Sequence, residues 1–336
     1  MSTPTPGTQE WLNLVVEDII DPARRIIDPH HHLWRRAGRR YLVENLWADT
    51  DSGHNIVKTV FIECHTEYRN DGPGHLKCLG ETEFAVGQAA QSAAGGSGKP
   101  SVAAIVAHAD LTRGKEVVEV LQAHQELGKG LFRGIRQVGA CDAHPEALMI
   151  PGPASEGLLL REDFRAGMKI LGDMGLSYDT WHYHHQNRDF VELAGAVPNT
   201  QMILDHLGTP LGVGRFAGKR EEIFEQWKKD IKEIAACDNV VAKLGGLAMP
   251  DNGFGWHTRE RPPSSDEFVE AQRRYYLHAI ECFGPDRCMF ESNFPVDRAS
   301  LSYPVLYNGF KKIVADFSED EKDAMFYGNA ARIYGI

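Results

Sequence analysis

Eight short apolar runs rich in β-branched residues recur along this chain, and most are followed by a longer amphipathic stretch. The runs lie at 25–31, 57–64, 101–107, 132–138, 176–181, 201–205, 240–244 and 287–291. Their near-continuous apolar character suits strands covered on both faces, as in a parallel sheet. Helical spacing follows at 79–94, 115–127, 161–174, 189–196, 220–236, 265–282 and 318–334. Eight strands alternating with helices predict an α/β fold, an eight-stranded parallel (β/α)8 TIM barrel. The competing open doubly wound sheet would carry a Gly-rich phosphate turn after strand one, and none is present. Domain organisation reads as an N-terminal extension, 1–24, followed by one barrel domain, 25–336. The segments 94–100, 139–160 and 248–264 read as long loops. The last two follow strands four and seven, so in a barrel they overhang the C-terminal face, where long loops often act as lids.

Composition narrows the function classes. The 336 residues carry a formal net charge of −11, and no long basic stripe is visible, so a nucleic-acid partner is not expected. No apolar run approaches the ~20 residues of a membrane span. The polar first ten residues lack the pattern of a signal peptide, and the six scattered cysteines form no C-x-x-C pair. A cytoplasmic protein with reduced thiols is expected, acting on a small molecule that is anionic or polyhydroxylated. A homo-oligomer is compatible with the sequence.

The chemistry concentrates at strand ends. Asp28-x-His30-x-His32 closes strand one, and the period of two puts His30 and His32 on one face, with His31 turned into packing. Two imidazoles at a barrel rim can share a divalent ion or grip a carbonyl. His206 ends strand six and adds a third neutral nitrogen at the rim.

The run Asp28-x-His30-x-His32, with Val60-Phe61-Ile62-Glu63-Cys64, Gly134-Ile135-Arg136, Leu204-Asp205-His206-Leu207-Gly208 and Met289-Phe290-Glu291-Ser292-Asn293-Phe294-Pro295-Val296, resembles the amidohydrolase superfamily. The set is similar to the amidohydrolase-2 branch, which includes pyrone and sugar lactonases. The resemblance implies hydrolysis of a small-molecule lactone or related cyclic ester (EC 3.1.1) by an activated water. It also implies that His206 joins the two histidines of strand one, so that His30, His32 and His206 would be the metal ligands, with Zn2+, another divalent metal or none as the cofactor. Non-oxidative decarboxylation of an unsaturated or aromatic acid, and a catalytically inactive binding barrel, are the alternatives.

One residue departs from the branch. Asn293 stands where the pattern has an aspartate that would ligate metal and take a proton, which an amide cannot do at neutral pH. Glu63, ending strand two, is then the expected base or ligand, with an ion pair to Arg133 or Arg136 as its alternative. Glu291 faces inward two residues before Asn293, roughly 7 Å deeper at strand rise. Glu63, His206 and Asn293 are the catalytic candidates. Arg136 is expected to hold a substrate carboxylate through its planar fork, as arginines of this region do in the resembled lactonase. His108, Tyr183, His184 and His257 are further substrate-binding candidates, with Arg259 and Arg261 beside His257. Asp179 could support an active-site histidine, and His65 is another rim candidate.

Overall fold

A computed structural model describes residues 4–36, 38–96 and 98–336. Eight strands lie in the order of the chain and all neighbouring pairs are parallel. They are β1 (Arg25–His31), β2 (Asn55–Ile62), β3 (Ser101–Ala107), β4 (Phe132–Arg136), β5 (Ser177–Thr180), β6 (Met202–Leu204), β7 (Val240–Leu244) and β8 (Cys288–Phe290). Each is followed by a helix: α1 (Val43–Thr50), α2 (Leu79–Ala93), α3 (Val117–Leu127), α4 (Glu162–Asp173), α5 (Asn187–Ala196), α6 (Arg220–Ala235), α7 (Ser265–Phe283) and α8 (Tyr303–Ile313). This is the (β/α)8 barrel expected. The seam between β8 and β1 is closed just beyond β8. There, His32 N donates to Phe294 O, and Asn293 N donates to His30 O. Asp28 staples the same seam, accepting from Ser292 N, Ser292 Oγ and the Tyr303 hydroxyl. Burial pushes its carboxyl up to about 6.

Two helices escaped the sequence reading for physical reasons. α1 spans only eight residues. α8 begins with Pro304 in its first turn and carries Gly309 in its middle, two residues that weaken a helical reading. A hairpin of Trp34–Arg36 with Arg39–Tyr41 also follows β1. The expected C-terminal helix 318–334 forms, but a π-helical turn at Ala324–Gly328 interrupts it. The expected loop at 94–100 includes residue 97, and the expected extension 1–24 includes residues 1–3; these lie outside the described residues. All six cysteines are free. Among the described residues no helix is long and apolar enough to cross a membrane.

The barrel interior divides into two zones. Ile27, Val60, Ile62, Ala104, Val106, Ile203, Val241 and Met289 form an apolar layer together with Ala330 and Tyr334 from the C-terminal segment. Tyr334 is fully buried, and its hydroxyl donates to Asp179 at 2.7 Å. Beyond that contact the interior turns polar. His30, Glu63, Asp179, Asp205, Lys243 and Glu291 all have 0% exposure, and Arg136 has 5%.

Candidate active site

The two histidines of β1 are fixed by different partners. His32 Nδ1 lies 2.9 Å from the Ile62 carbonyl oxygen, which can only accept, so Nδ1 carries the proton. His30 Nδ1 lies 2.9 Å from Glu291 Oε2, at ion-pair distance but without hydrogen-bond alignment, while its Nε2 stands 3.4 Å from Arg136 NH1, which can only donate, so Nε2 is the accepting nitrogen. Both Nε2 atoms therefore present lone pairs, and they face each other at 3.3 Å. Burial first, then Lys243 for His30 and Arg136 for His32, holds both imidazoles well below their usual protonation range.

His206 completes the group. Its ring lies 4.5 Å from that of His30, centroid to centroid. Its Nδ1 lies 2.7 Å from Glu291 Oε1, so its Nε2 is also left with a lone pair. Glu291 thus bridges two imidazoles, one through each oxygen, and also accepts from His206 N. His206 sits at φ 54° and Asn293 at φ 55°, in the left-handed region that residues with a Cβ rarely enter. Such strain gathers where a structure holds side chains for use.

Gly246, after β7, lies against this histidine. A Cβ there would fall 2.1 Å from His206 Nδ1, and its φ of +68° is itself unfavourable to other residues. Gly246→Ala is expected to push the imidazole off Glu291, at a cost of about 1–3 kcal/mol in stability, as overpacking does. Zinc titration calorimetry on the folded variant should show weaker binding. Wild-type affinity would show that the ring position does not matter.

These residues fit a divalent ion. Two facing lone pairs at 3.3 Å repel unless a cation or proton lies between them, and the third imidazole is set in the same way. Asn293 gives its amide Nδ2 to Asp297 Oδ1 at 2.9 Å, while its buried Oδ1 has no hydrogen-bond partner. The charges agree: four buried carboxylates, Glu63, Asp179, Asp205 and Glu291, face two buried cations, Arg136 and Lys243. The excess is two negative charges. His30, His206 and Glu291 also form a compact group of ligand atoms. An ion between a ring nitrogen and a carboxylate oxygen at ordinary bond lengths would hold them about 3.4 Å apart. His206 Nδ1 and Glu291 Oε1, at 2.7 Å, are hydrogen-bonded instead. Lys243 Nζ stands 3.2 Å from His30 Nδ1 and Arg136 NH1 3.4 Å from His30 Nε2, so a fixed cation flanks the ring on both sides. An ion would fit on the Nε2 side, with Glu291 holding the His206 ring from behind.

The remaining candidates are placed as follows. Glu63 Oε1 accepts from Arg136 Nε at 2.8 Å, and its backbone carbonyl accepts from Arg136 too. Burial pushes its carboxyl up, but Arg136 and then His65 outweigh that and hold it well below the usual range, so it is a weak base. Arg136 is committed to this pair, with NH1 3.4 Å from His30 Nε2. Arg133 instead donates to backbone carbonyls, including that of Tyr334. His31 packs on Phe61, and neither of its ring nitrogens is hydrogen-bonded.

Tyr183 belongs to a small apolar cluster with Val138, Ala140 and Leu211, and its hydroxyl ties down the loop after β4 through Gly152 N and Ile150 O. His184 is buried, accepts from Leu211 N and packs against Phe216. The loop after β7 is anchored. Asp251 accepts from Met149 N and Ile150 N, Trp256 is buried, and Arg259 and Arg261 both pair with Glu267. His257 in that loop is half-buried, with Nδ1 unpartnered. His108 lies with His65 beside Glu63. Asp179 does not touch a histidine. It pairs with Lys243 at 2.6 Å, and Asp205 holds the same ammonium at 3.1 Å.

Two members of the polar layer went unread in the sequence. Lys243 sits inside Val240-Val241-Ala242-Lys243-Leu244, where a lysine in an otherwise apolar strand was itself the signal, since unpaired lysine is almost never fully buried. Asp205 was visible only as part of a motif. Glu291 was placed inward by strand parity, but the bridge it makes depends on side chains from three strands.

Similarity to known proteins agrees with this arrangement. Residues 27–336 match the family described as Amidohydrolase. An uncharacterized protein, y4mH, of Sinorhizobium fredii is 33% identical, over 93% of this chain and 98% of its own length. L-fucono-1,5-lactonase of Burkholderia multivorans is 26% identical, over 52% of this chain and 56% of its own. The crystal structure of an amidohydrolase from Burkholderia multivorans with bound zinc superposes with a TM-score of 0.72 and 22% identity, covering 93% of this chain and 99% of the other. With a match running from β1 to the C-terminus, the chain belongs to the amidohydrolase family.

Proposed function

We propose that the chain hydrolyses a small lactone or related cyclic ester at the histidine centre, with a substrate that is anionic or polyhydroxylated. The observation that carries this reading is the facing pair of His30 Nε2 and His32 Nε2 at 3.3 Å, with the His206 ring 4.5 Å from that of His30 and its Nδ1 held by Glu291. The lactonase relative and the zinc-bound neighbour support it. A zinc or similar ion on His30, His32 and His206 would supply Lewis-acid polarisation of the ester carbonyl.

The chain's own residues do the rest. Glu291 keeps two of the imidazoles in the ligating tautomer. Asp297, whose carboxyl burial pushes up to about 7, takes the Asn293 amide and turns that side chain so that Oδ1 is the free end. An amide oxygen in that position accepts a hydrogen bond from a water and orients it, without removing its proton. Asp297 is the carboxylate nearest in role to the missing base, one hydrogen bond behind Asn293. Arg136, held by Glu63, keeps a fixed positive charge beside the centre, where negative charge develops on the carbonyl oxygen.

A panel of sugar lactones, muconolactones and pyrone carboxylates, followed by acid release in weak buffer, tests the reading on zinc-loaded enzyme. Ring opening of at least one member, lost in His206→Ala, is the expected result. No turnover across the panel would contradict it. Decarboxylation is the second reading, favoured by one observation: Asn293 cannot take a proton from water, and that reaction needs no attacking water. Release of CO2 from an aromatic or enoic acid by an enzyme inert to lactones would select it.

A further inference from the structure

Beside the histidine centre lies a second group that this chemistry leaves idle. Glu63 follows β2, His65 comes two residues later, and His108 follows β3. One ligand atom from each lies within 4.8 Å of the other two. Glu63 gives Oε1 to Arg136, but Oε2 is buried and accepts no hydrogen bond. His65 Nδ1 lies 3.0 Å from that oxygen, at ion-pair distance but without hydrogen-bond alignment, so an ion between them needs the half-exposed His65 ring to withdraw by about 0.4 Å. His108 Nδ1 is also buried without a partner. Buried polar atoms are almost always satisfied, so two orphans converging on one spot call for an explanation. His65 also holds a left-handed φ of 59°, a strained conformation for a residue with a Cβ. The rings of His65 and His108 stand 5.0 Å apart, with neither bonded to the other.

We propose that Glu63, His65 and His108 form a second divalent-cation site, separate from the three-histidine centre. Two imidazoles and one carboxylate make a borderline donor set, suited to zinc, cobalt(II) or manganese(II) and poorly matched to calcium or magnesium. Three protein ligands leave a coordination position open. That side faces a cavity of about 370 Å3 lined by His65, His108, Thr112, Gln137, Ser155 and Arg161. The His65 side chain is 47% exposed, which gives the ion a path in from solvent. Arg136 does not block the site. It occupies the opposite carboxylate oxygen and the Glu63 carbonyl, and so fixes the direction of Oε2 from behind, as partners of metal-ligating carboxylates do. Its charge lowers the affinity below that of the three-histidine centre. One guanidinium separates the two groups, since Arg136 NH1 approaches His30 Nε2 at 3.4 Å. The same cavity is also lined by Asp110, whose carboxylate holds the Thr112 hydroxyl, so a hydroxylated molecule suits it better than a second anion.

The test uses zinc alone as the probe. Full-length protein is stripped with chelator, titrated with Zn2+ by calorimetry, desalted and analysed for metal. Two ions per chain are expected in the wild type. The double variant His65→Ala with His108→Ala should retain one fewer, with an unchanged circular dichroism spectrum, since Glu63 keeps Arg136. A double variant of His30→Ala with His206→Ala should retain the ion at Glu63, His65 and His108. Should the three-histidine centre bind nothing, the wild type would hold one ion and the His65/His108 variant none, and the second site would still stand. A zinc stoichiometry unchanged by the His65 and His108 substitutions overturns the proposal, whatever the other centre does.

Discussion

Lys243→Met should destabilise the protein by about 3–5 kcal/mol, the largest effect we expect from any single side chain in the polar layer. Lys243 is fully buried on β7 and holds Asp179 at 2.6 Å and Asp205 at 3.1 Å. Burial works against its charge, yet the two aspartates outweigh that and raise its proton affinity, so it is an ammonium at neutral pH. Methionine fills a similar volume and brings no charge. It leaves two buried carboxylates facing each other, and neither oxygen of Asp205 has a hydrogen bond to fall back on. Burial already pushes Asp179 up to about 6 with the lysine present. Removing the cation raises it further, so the variant should take up a proton on folding. The sign follows directly. A carboxyl whose folded pKa lies above its unfolded value contributes stability at low pH that is lost as pH rises through the folded value. The deficit of the variant should therefore grow from pH 5 to pH 8. Urea unfolding across that range measures it. A deficit under about 1 kcal/mol at pH 8, the size of an exposed pair, would show that the cluster is not a dry interior network.

The second large effect belongs to Glu291→Gln. The carboxylate accepts from His206 Nδ1 through Oε1 and stands 2.9 Å from His30 Nδ1 through Oε2. A glutamine has one accepting oxygen and one donating nitrogen, so it can satisfy only one imidazole in the present tautomer. The other must flip, placing a proton on the Nε2 that should bind the ion. Loss of such an orienting partner typically weakens metal affinity about 10- to 100-fold. Zinc affinity by competition with a chelating dye reads this directly, and turnover on any lactone substrate should fall in parallel. Unchanged affinity would mean that Glu291 does not set the tautomers and that the ion, if bound, sits elsewhere.

Both effects concern residues whose roles the sequence showed only in part, and the reason is geometric. The eight strands were legible because burial on both faces leaves a near-continuous apolar run, and β1, β3 and β7 begin and end where that run does. His30 and His32 were legible because a period of two within one strand is local information. Asn293 was legible as a departure from a pattern. Lys243, Asp205 and Glu291 meet only after the barrel closes, through contacts between different strands at least 38 residues apart in sequence. The pairing of Glu63 with Arg136 was one of two readings open in the sequence, since a rim carboxylate looks the same whether it serves as a base or as an ion-pair partner. Tyr183 and His184 show the converse. Aromatic and imidazole groups crowded at a strand end suggest substrate contacts, but here they pack the base of the loop after β4.

Crystals grown with Zn2+ and measured at the zinc absorption edge test the central claim most directly. The account predicts an anomalous peak within about 2.0–2.1 Å of Nε2 of His30, His32 and His206, with Glu291 behind the ligands and not among them. No peak at that position, or a peak on the Nδ1 side between His30, His206 and Glu291, would contradict it.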